Sequence, residues 1–137
     1  VPGLWAPLTP SWGVENRTCA LRALPGGAGS RVQNRQTAAD INPYIAMAAS
    51  LGAGLYGIRH GLEAPPPVAG DATAVPDARP LPRTLEAATA ALAKSDAARE
   101  ILGADFVDHY VRTRQWEVRQ YRTAVTDWEL ARYFETV

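Results

Sequence analysis

The sequence predicts an α+β protein that is mostly helical and carries one short antiparallel β-hairpin. Residues 84–134 contain helix-start residues and apolar residues at helical spacing, which predict several helices in succession. Residues 16–24 and 31–36 read as two short strands, and residues 25–30 supply a glycine-rich turn between them. The length of 137 residues fits a single domain, 1–137.

The segment before the hairpin, residues 1–15, is predicted to be irregular. Pro2, Pro7 and Pro10 exclude a helix there, because each removes a backbone donor and fixes its own φ. We expect no regular element before residue 16.

The first long helix is predicted over residues 42–62. Asp40 or Asn42 can cap it, and Pro43 occupies a first-turn position where proline is tolerated. Residues 45–58 carry no charge and are apolar or small on every side, a composition typical of a buried helix. Its glycines suggest the close approach of another backbone.

A linker or long loop follows at residues 64–83, of which six are proline. Loops of this length are functional or disordered. The abundance of Pro, Ala, Gly and Asp favours disorder here.

Helix signals then recur to the end of the chain. Thr84 is predicted to cap residues 85–94, and Ser95 to cap a short turn ending at Gly103. Thr126 and Glu129 form a T-x-x-E capping box for the last helix, with Val125 and Leu130 at the hydrophobic-staple positions. The helix 105–122 carries a stripe on one face: Val107, Tyr110, Val111, Arg114, Val118 and Tyr121.

Charge is balanced overall but uneven along the chain. Fourteen basic and 14 acidic residues cancel, yet residues 16–35 hold four arginines and no acid. Such a local cluster fits a small anionic ligand, whereas nucleic acid calls for a broader basic surface. No apolar run is long enough to span a membrane, and the single Cys19 fits a reducing, cytoplasmic compartment.

The arginine cluster is the candidate site. Arg31, Gln33 and Arg35 alternate, so a strand would place them on one face, where they could grip an anion or line a metal–phosphate site. The alternative is an exposed polar strand face. Arg17 and Arg22 are five residues apart, so either the strand bends or they do different jobs. No nucleophile–base pair is visible.

These motifs together resemble the C-terminal catalytic region of the glutamine synthetase family, and its γ-glutamyl-amine ligase-like branches in particular. The resemblance covers nearly the whole chain. It rests on NRTCALR (16–22), SRVQNR (30–35), INPYIAMAASLGAGLYGI (41–58), LPRTLEAATAAL (81–92) and VTDWELARYFE (125–135).

The resemblance implies an ATP-dependent ligase that joins the γ-carboxylate of glutamate to ammonia or an amine through a γ-glutamyl phosphate. By motif position, Arg17 and Arg35 are the expected catalytic and substrate-binding residues, and Arg22 and Arg31 the nucleotide-binding ones. The family uses Mg²⁺ or Mn²⁺ and has a metal-binding Glu where this chain has Gln33. A Gln carbonyl ligates without charge, which puts metal binding and activity in question.

The resemblance further implies that the chain is an incomplete piece of the family's catalytic barrel. The isolated piece is expected to be inactive, because an N-terminal part and neighbouring subunits would complete the active site. The alternative function is that of a non-catalytic relative acting as a metabolite-binding or assembly module, and Gln33 keeps it open.

Overall fold

A computed structural model describes residues 6–75 and 79–136. The chain divides into two compact units, Val1–Pro82 and Arg83–Val137. The first unit is a small sheet followed by one long helix, and the regular elements in the described part of the second unit are all helices. The mixed, mostly helical fold class predicted from the sequence is confirmed.

Three short strands form the sheet in the order β1-β2-β3. β1 spans Trp12–Val14, β2 Leu21–Leu24 and β3 Arg31–Asn34. β2 and β3 pair antiparallel, which confirms the hairpin, and β1 pairs with β2 in parallel. The prediction that residues 1–15 hold no regular element is wrong at β1, which begins two residues after Pro10 and is too short to show an alternating pattern.

The strand predicted to begin at residue 16 begins only at Leu21. Residues before it form a turn, in which Oδ1 of Asn16 accepts hydrogen bonds from the Thr18 amide at 3.0 Å and the Thr18 hydroxyl at 2.7 Å. Asn competes with extended pairing in this way because its side chain bonds backbone donors two residues on.

Helix α1 spans Pro43–Arg59. Of the two predicted caps, Asn42 serves, since its Oδ1 accepts from the amides of Tyr44 at 3.0 Å and Ile45 at 3.3 Å. The expectation that this helix is buried is wrong within the described residues, because none of its residues is buried and Ile58 is 79% exposed. Part of one face, including Ile45 and Ala49, is half-buried, and most of its large apolar side chains are exposed in the described structure.

The first unit has a small core, in which the buried apolar residues are Cys19, Ala20, Leu24 and Ala72. The proline-rich loop helps to build it. Val68 N donates to Trp12 O at 2.9 Å, and Trp12 Nε1 donates to Pro65 O at 2.6 Å. The segment for which composition favoured disorder therefore has defined contacts from Pro65 to Ala72, and its residues 76–78 lie outside the described residues.

The second unit contains four helices among its described residues. They are α2 Leu85–Ala93, α3 Asp96–Leu102, α4 Ala104–Thr123 and α5 Asp127–Tyr133. The predicted caps are confirmed: Thr84 Oγ1 accepts from Ala87 N, and Ser95 Oγ accepts from Ala98 N, each at 3.1 Å. Both sides of the Thr126 and Glu129 capping box are present as well.

The apolar stripe of α4 forms the core of this unit. Val107 and Val111 are buried, and the buried Thr89 of α2 satisfies its hydroxyl by donating to Leu85 O at 2.6 Å. The stripe ends at Val118, because Tyr121 is 74% exposed and does not belong to the buried face. No described helix is both long and apolar enough to cross a membrane.

Candidate functional site

An open cleft of about 400 Å³ lies in the first unit, lined by Arg17, Arg22, Gln33 and Arg35. We call it the arginine cleft. Four of the five residues singled out from the sequence meet here, although no two of them are neighbours along the chain. The clustering follows from the sheet register and from the turn before β2.

The turn before β2 explains how Arg17 and Arg22, which are five residues apart, reach the same cleft. On one straight strand the two side chains would point to opposite faces. Arg17 instead lies in the turn, where the chain bends, and Arg22 lies in β2. Of the two possibilities the sequence left open, a bend is the one observed, and both arginines line the cleft.

The register of the β2–β3 hairpin brings Arg22 and Gln33 together. Arg22 of β2 lies directly opposite Gln33 of β3, and Arg22 Nη1 donates to Gln33 Oε1 at 3.5 Å. Arg35 follows β3, where its amide donates to Ala20 O at 2.9 Å and so extends the pairing by one residue. This bond holds the backbone of Arg35 beside the cleft.

Arg31 is the predicted site residue that does not line the arginine cleft. It is exposed at the start of β3, and its Nη1 donates to Gly29 O at 3.2 Å in the glycine-rich turn. The shared strand face predicted for residues 31, 33 and 35 therefore brings only Gln33 and Arg35 into the cleft.

Sequence reasoning missed Glu15. Its carboxylate forms an ion pair with Arg22 Nη2, and its amide donates to Ala23 O at 2.9 Å. Glu15 adopts φ 53°, in the left-handed region, and is the single non-glycine residue to do so in the described part of the chain. It stands one position before the acid-free stretch, so only the pairing of β1 with β2 reveals its place.

The cleft suits an anion and does not fit a divalent cation by itself. Three arginines line it, and among these lining residues Gln33 alone has a side-chain oxygen, which already accepts from Arg22. The described residues hold no group of three His, Cys, Asp or Glu side chains that could bind a metal ion. Arginine forks match carboxylate and phosphate oxygens, so the site defines a binder of such groups.

Comparisons with known proteins show the family to which the chain belongs. The family model of the glutamine synthetase catalytic domain matches residues 1–133. Type-1 glutamine synthetase 2 of Dictyostelium discoideum is 48% identical over 141 residues, which cover 100% of this chain and 27% of that protein. The glutamate–isopropylamine ligase of a Pseudomonas species is 44% identical over 136 residues, which cover 97% of this chain and 30% of that protein.

A solved structure agrees with the sequence matches. The GmaS/ADP complex superimposes with a TM-score of 0.78 at 27% identity, over 96% of this chain and 30% of that one. This chain belongs to the glutamine synthetase family, as its motifs suggested. It spans less than a third of the length of the relatives described here.

Proposed function

We propose that this chain is the arginine-bearing part of an ATP-dependent ligase that joins the γ-carboxylate of glutamate to ammonia or an amine through a γ-glutamyl phosphate. The observation that carries the proposal is the convergence of Arg17, Arg22 and Arg35 on one cleft. Phosphoryl transfer is catalysed mainly by positioning and charge neutralisation, which guanidinium groups provide. The relatives named above as ligases support the same reaction class.

Each arginine has a proposed task. Arg17 and Arg35 hold the glutamate carboxylate and the phosphoryl group as charge builds up on its oxygens. Arg22, on the strand paired with β3, binds a nucleotide phosphate, and the structural neighbour GmaS, solved as a complex with ADP, supports nucleotide binding. Arg31 keeps its proposed nucleotide-binding role from outside the cleft, where it is exposed to an incoming phosphate.

The proposal places the rest of the active site outside this chain. The three-stranded sheet is then an incomplete piece of a larger catalytic barrel, and neighbouring subunits complete the site. Any Mg²⁺ or Mn²⁺ would depend on carboxylates from those parts, with Gln33 as at most one neutral ligand. We keep the cytoplasmic location expected from the unpaired, buried Cys19.

A second candidate is a non-catalytic relative that binds a metabolite or serves assembly. The observation favouring it is the neutral Gln33, whose carbonyl already accepts from Arg22. A binding module retains affinity for glutamate or nucleotide and releases no ADP, whereas a ligase releases ADP only when an amine is supplied.

Amine-dependent ADP release by the complete polypeptide tests the proposal. Arg17→Ala and Arg35→Ala should each abolish it, while Arg59→Ala, an exposed arginine at the end of α1, should leave it unchanged. Residues 1–137 alone should release no ADP above a protein-free control. Unchanged turnover in the Arg17 and Arg35 variants would overturn the proposal.

A further inference from the structure

We infer that Glu15 is a positioning residue of the arginine cleft: its carboxylate holds the Arg22 guanidinium in the orientation that receives a nucleotide phosphate. This inference rests on the proposed function, since it assigns Arg22 a phosphate ligand. Glu15 itself does not line the cleft, so it acts through Arg22.

The contacts of Arg22 carry the first step. The Arg22 side chain is only 14% exposed, and its Nη2 is engaged by the Glu15 carboxylate. Its Nη1 reaches Gln33 only at 3.5 Å, and its buried Nε has no hydrogen-bond partner among the described residues. Glu15 therefore fixes Nη2 on one edge of the fork, and Nη1, whose bond to Gln33 is long, is the donor left for an anion. A phosphate oxygen that accepts from Nη1 would replace this long contact with a charge-assisted hydrogen bond, which is shorter and stronger.

The backbone of Glu15 carries the second step. A φ of 53° favours glycine, because a side chain there crowds the backbone. The position is held by the Glu15 amide bonded to Ala23 O and by the adjacent pairing of Val14 with Ala23. Glu15 thus keeps a carboxylate at a position whose backbone favours glycine, and within the described residues that carboxylate hydrogen-bonds to Arg22 alone.

The direction of the change in anion binding when Glu15 is removed distinguishes a positioning role from a purely electrostatic one. The cleft is lined by three guanidinium groups and the neutral Gln33, and Glu15 brings the negative charge nearest to Arg22. If Glu15 acted only through its charge, removing it would make the cleft more positive and tighten anion binding. If it orients Arg22, removing it weakens binding despite the added positive charge. The two accounts predict opposite signs.

ADP binding by the complete polypeptide measures that sign, with the KM for ATP as a second readout. Glu15→Gln removes the charge but keeps a hydrogen-bond acceptor, and Glu15→Gly removes the contact while relieving the positive φ. We expect the dissociation constant for ADP to rise about three- to tenfold, more for Gly than for Gln. Glu63→Gln, which removes an exposed charge in the same unit, should leave it unchanged.

A double-mutant cycle with Arg22→Ala separates positioning from a general structural effect. In the Arg22→Ala background, Glu15→Gln should change ADP affinity no further, and the melting temperature of Glu15→Gly should equal or exceed that of the parent. Unchanged or tighter ADP binding in Glu15→Gln, or an equal loss in the Arg22→Ala background, would overturn the inference. Failure of both Glu15 variants to fold would also overturn it, because it gives Glu15 no role in folding.

The same titration distinguishes the two proposals. If the unmutated polypeptide binds neither ADP nor ATP, the proposed function fails and the inference fails with it. If the unmutated polypeptide binds nucleotide and Glu15→Gln binds it equally well, only the role of Glu15 is lost.

Discussion

Arg22 and Gln33 lie directly opposite each other on antiparallel strands, with Arg22 Nη1 3.5 Å from Gln33 Oε1. The pair joins a proposed phosphate ligand to Gln33, the position where the resemblance to the family led us to expect a metal-binding Glu. Gln33 is neutral and does not compensate the positive charge of Arg22. The Glu15 carboxylate forms the ion pair with Arg22 instead. The residues that line the cleft therefore include three positively charged side chains and no negatively charged one.

Gln33→Glu should tighten the binding of the metal on which nucleotide binding by the complete polypeptide depends. A carboxylate beside a divalent cation gains on the order of 4 kcal/mol at about 4 Å and an effective dielectric near 20, before desolvation is subtracted. A surplus of about 1.4 kcal/mol tightens metal binding about tenfold. Titration of Mg²⁺ against ADP binding measures the shift, with Gln36→Glu as the exposed control outside the cleft. Identical metal dependence in all three proteins would place Gln33 outside any metal site.

Thr126→Ala should loosen α5. The substitution removes the hydroxyl that accepts from Glu129 N at 3.2 Å, and losing such a cap costs about 0.5–2 kcal/mol. Amide hydrogen exchange in α5 should then speed up by about two- to thirtyfold if the helix opens locally. Thr126→Ser keeps the hydroxyl and should exchange as the parent does. Equal exchange in the Ala and Ser variants would show that the cap does not stabilise α5.

The stability of α5 should also fall in acid. Hydrogen bonds from the Thr126 amide and hydroxyl hold the pKa of the Glu129 carboxyl below its usual value of 4.5. Because the pKa is lower in the folded state, the stabilisation is complete above pH 4.5 and is lost as the pH falls through the folded value. Amide exchange in α5, corrected for intrinsic rates, should therefore accelerate below this pH. Glu129→Gln should flatten that dependence, and an equally steep profile in the variant would rule out Glu129 as its source.

Gly13→Ala should detach the proline-rich loop from β1. A Cβ at Gly13 would lie 2.7 Å from the backbone oxygen of Val68 and 3.1 Å from Cys19 Sγ, too close for either to remain in place. Overpacking of this kind costs about 1–3 kcal/mol. Proteolysis within residues 65–72 and the melting temperature report the change, and Gly29→Ala, which meets open space, is the control. A melting temperature equal to that of Gly29→Ala would contradict the close contact.

Features encoded by neighbouring residues were predictable from the sequence. The caps at Asn42, Thr84, Ser95 and Thr126 depend on side chains that bond amides two or three residues away, and all four form. The β2–β3 hairpin belongs to the same group, because its turn composition is local.

Features that depend on distant contacts were harder to predict. β1 forms only by pairing with β2, whose partner residues lie nine positions ahead in the sequence, and it is too short to show a pattern. The apolar composition of α1 predicted burial, yet none of its residues is buried in the described structure. The role of Glu15 could not be predicted from the sequence, because its contact with Arg22 exists only once β1 and β2 are paired.

The most direct test of the central claim is an oxygen-transfer measurement on the complete polypeptide. Glutamate carrying ¹⁸O in its γ-carboxylate is supplied with ATP and an amine, and the released phosphate is analysed by mass. If a carboxylate oxygen attacks the γ-phosphorus and the amine then displaces phosphate at the carbonyl carbon, the bridging oxygen leaves with the phosphate. The account predicts ¹⁸O in the phosphate released by the unmutated protein and no labelled phosphate from Arg17→Ala or Arg35→Ala. Amide formation with unlabelled phosphate would contradict it.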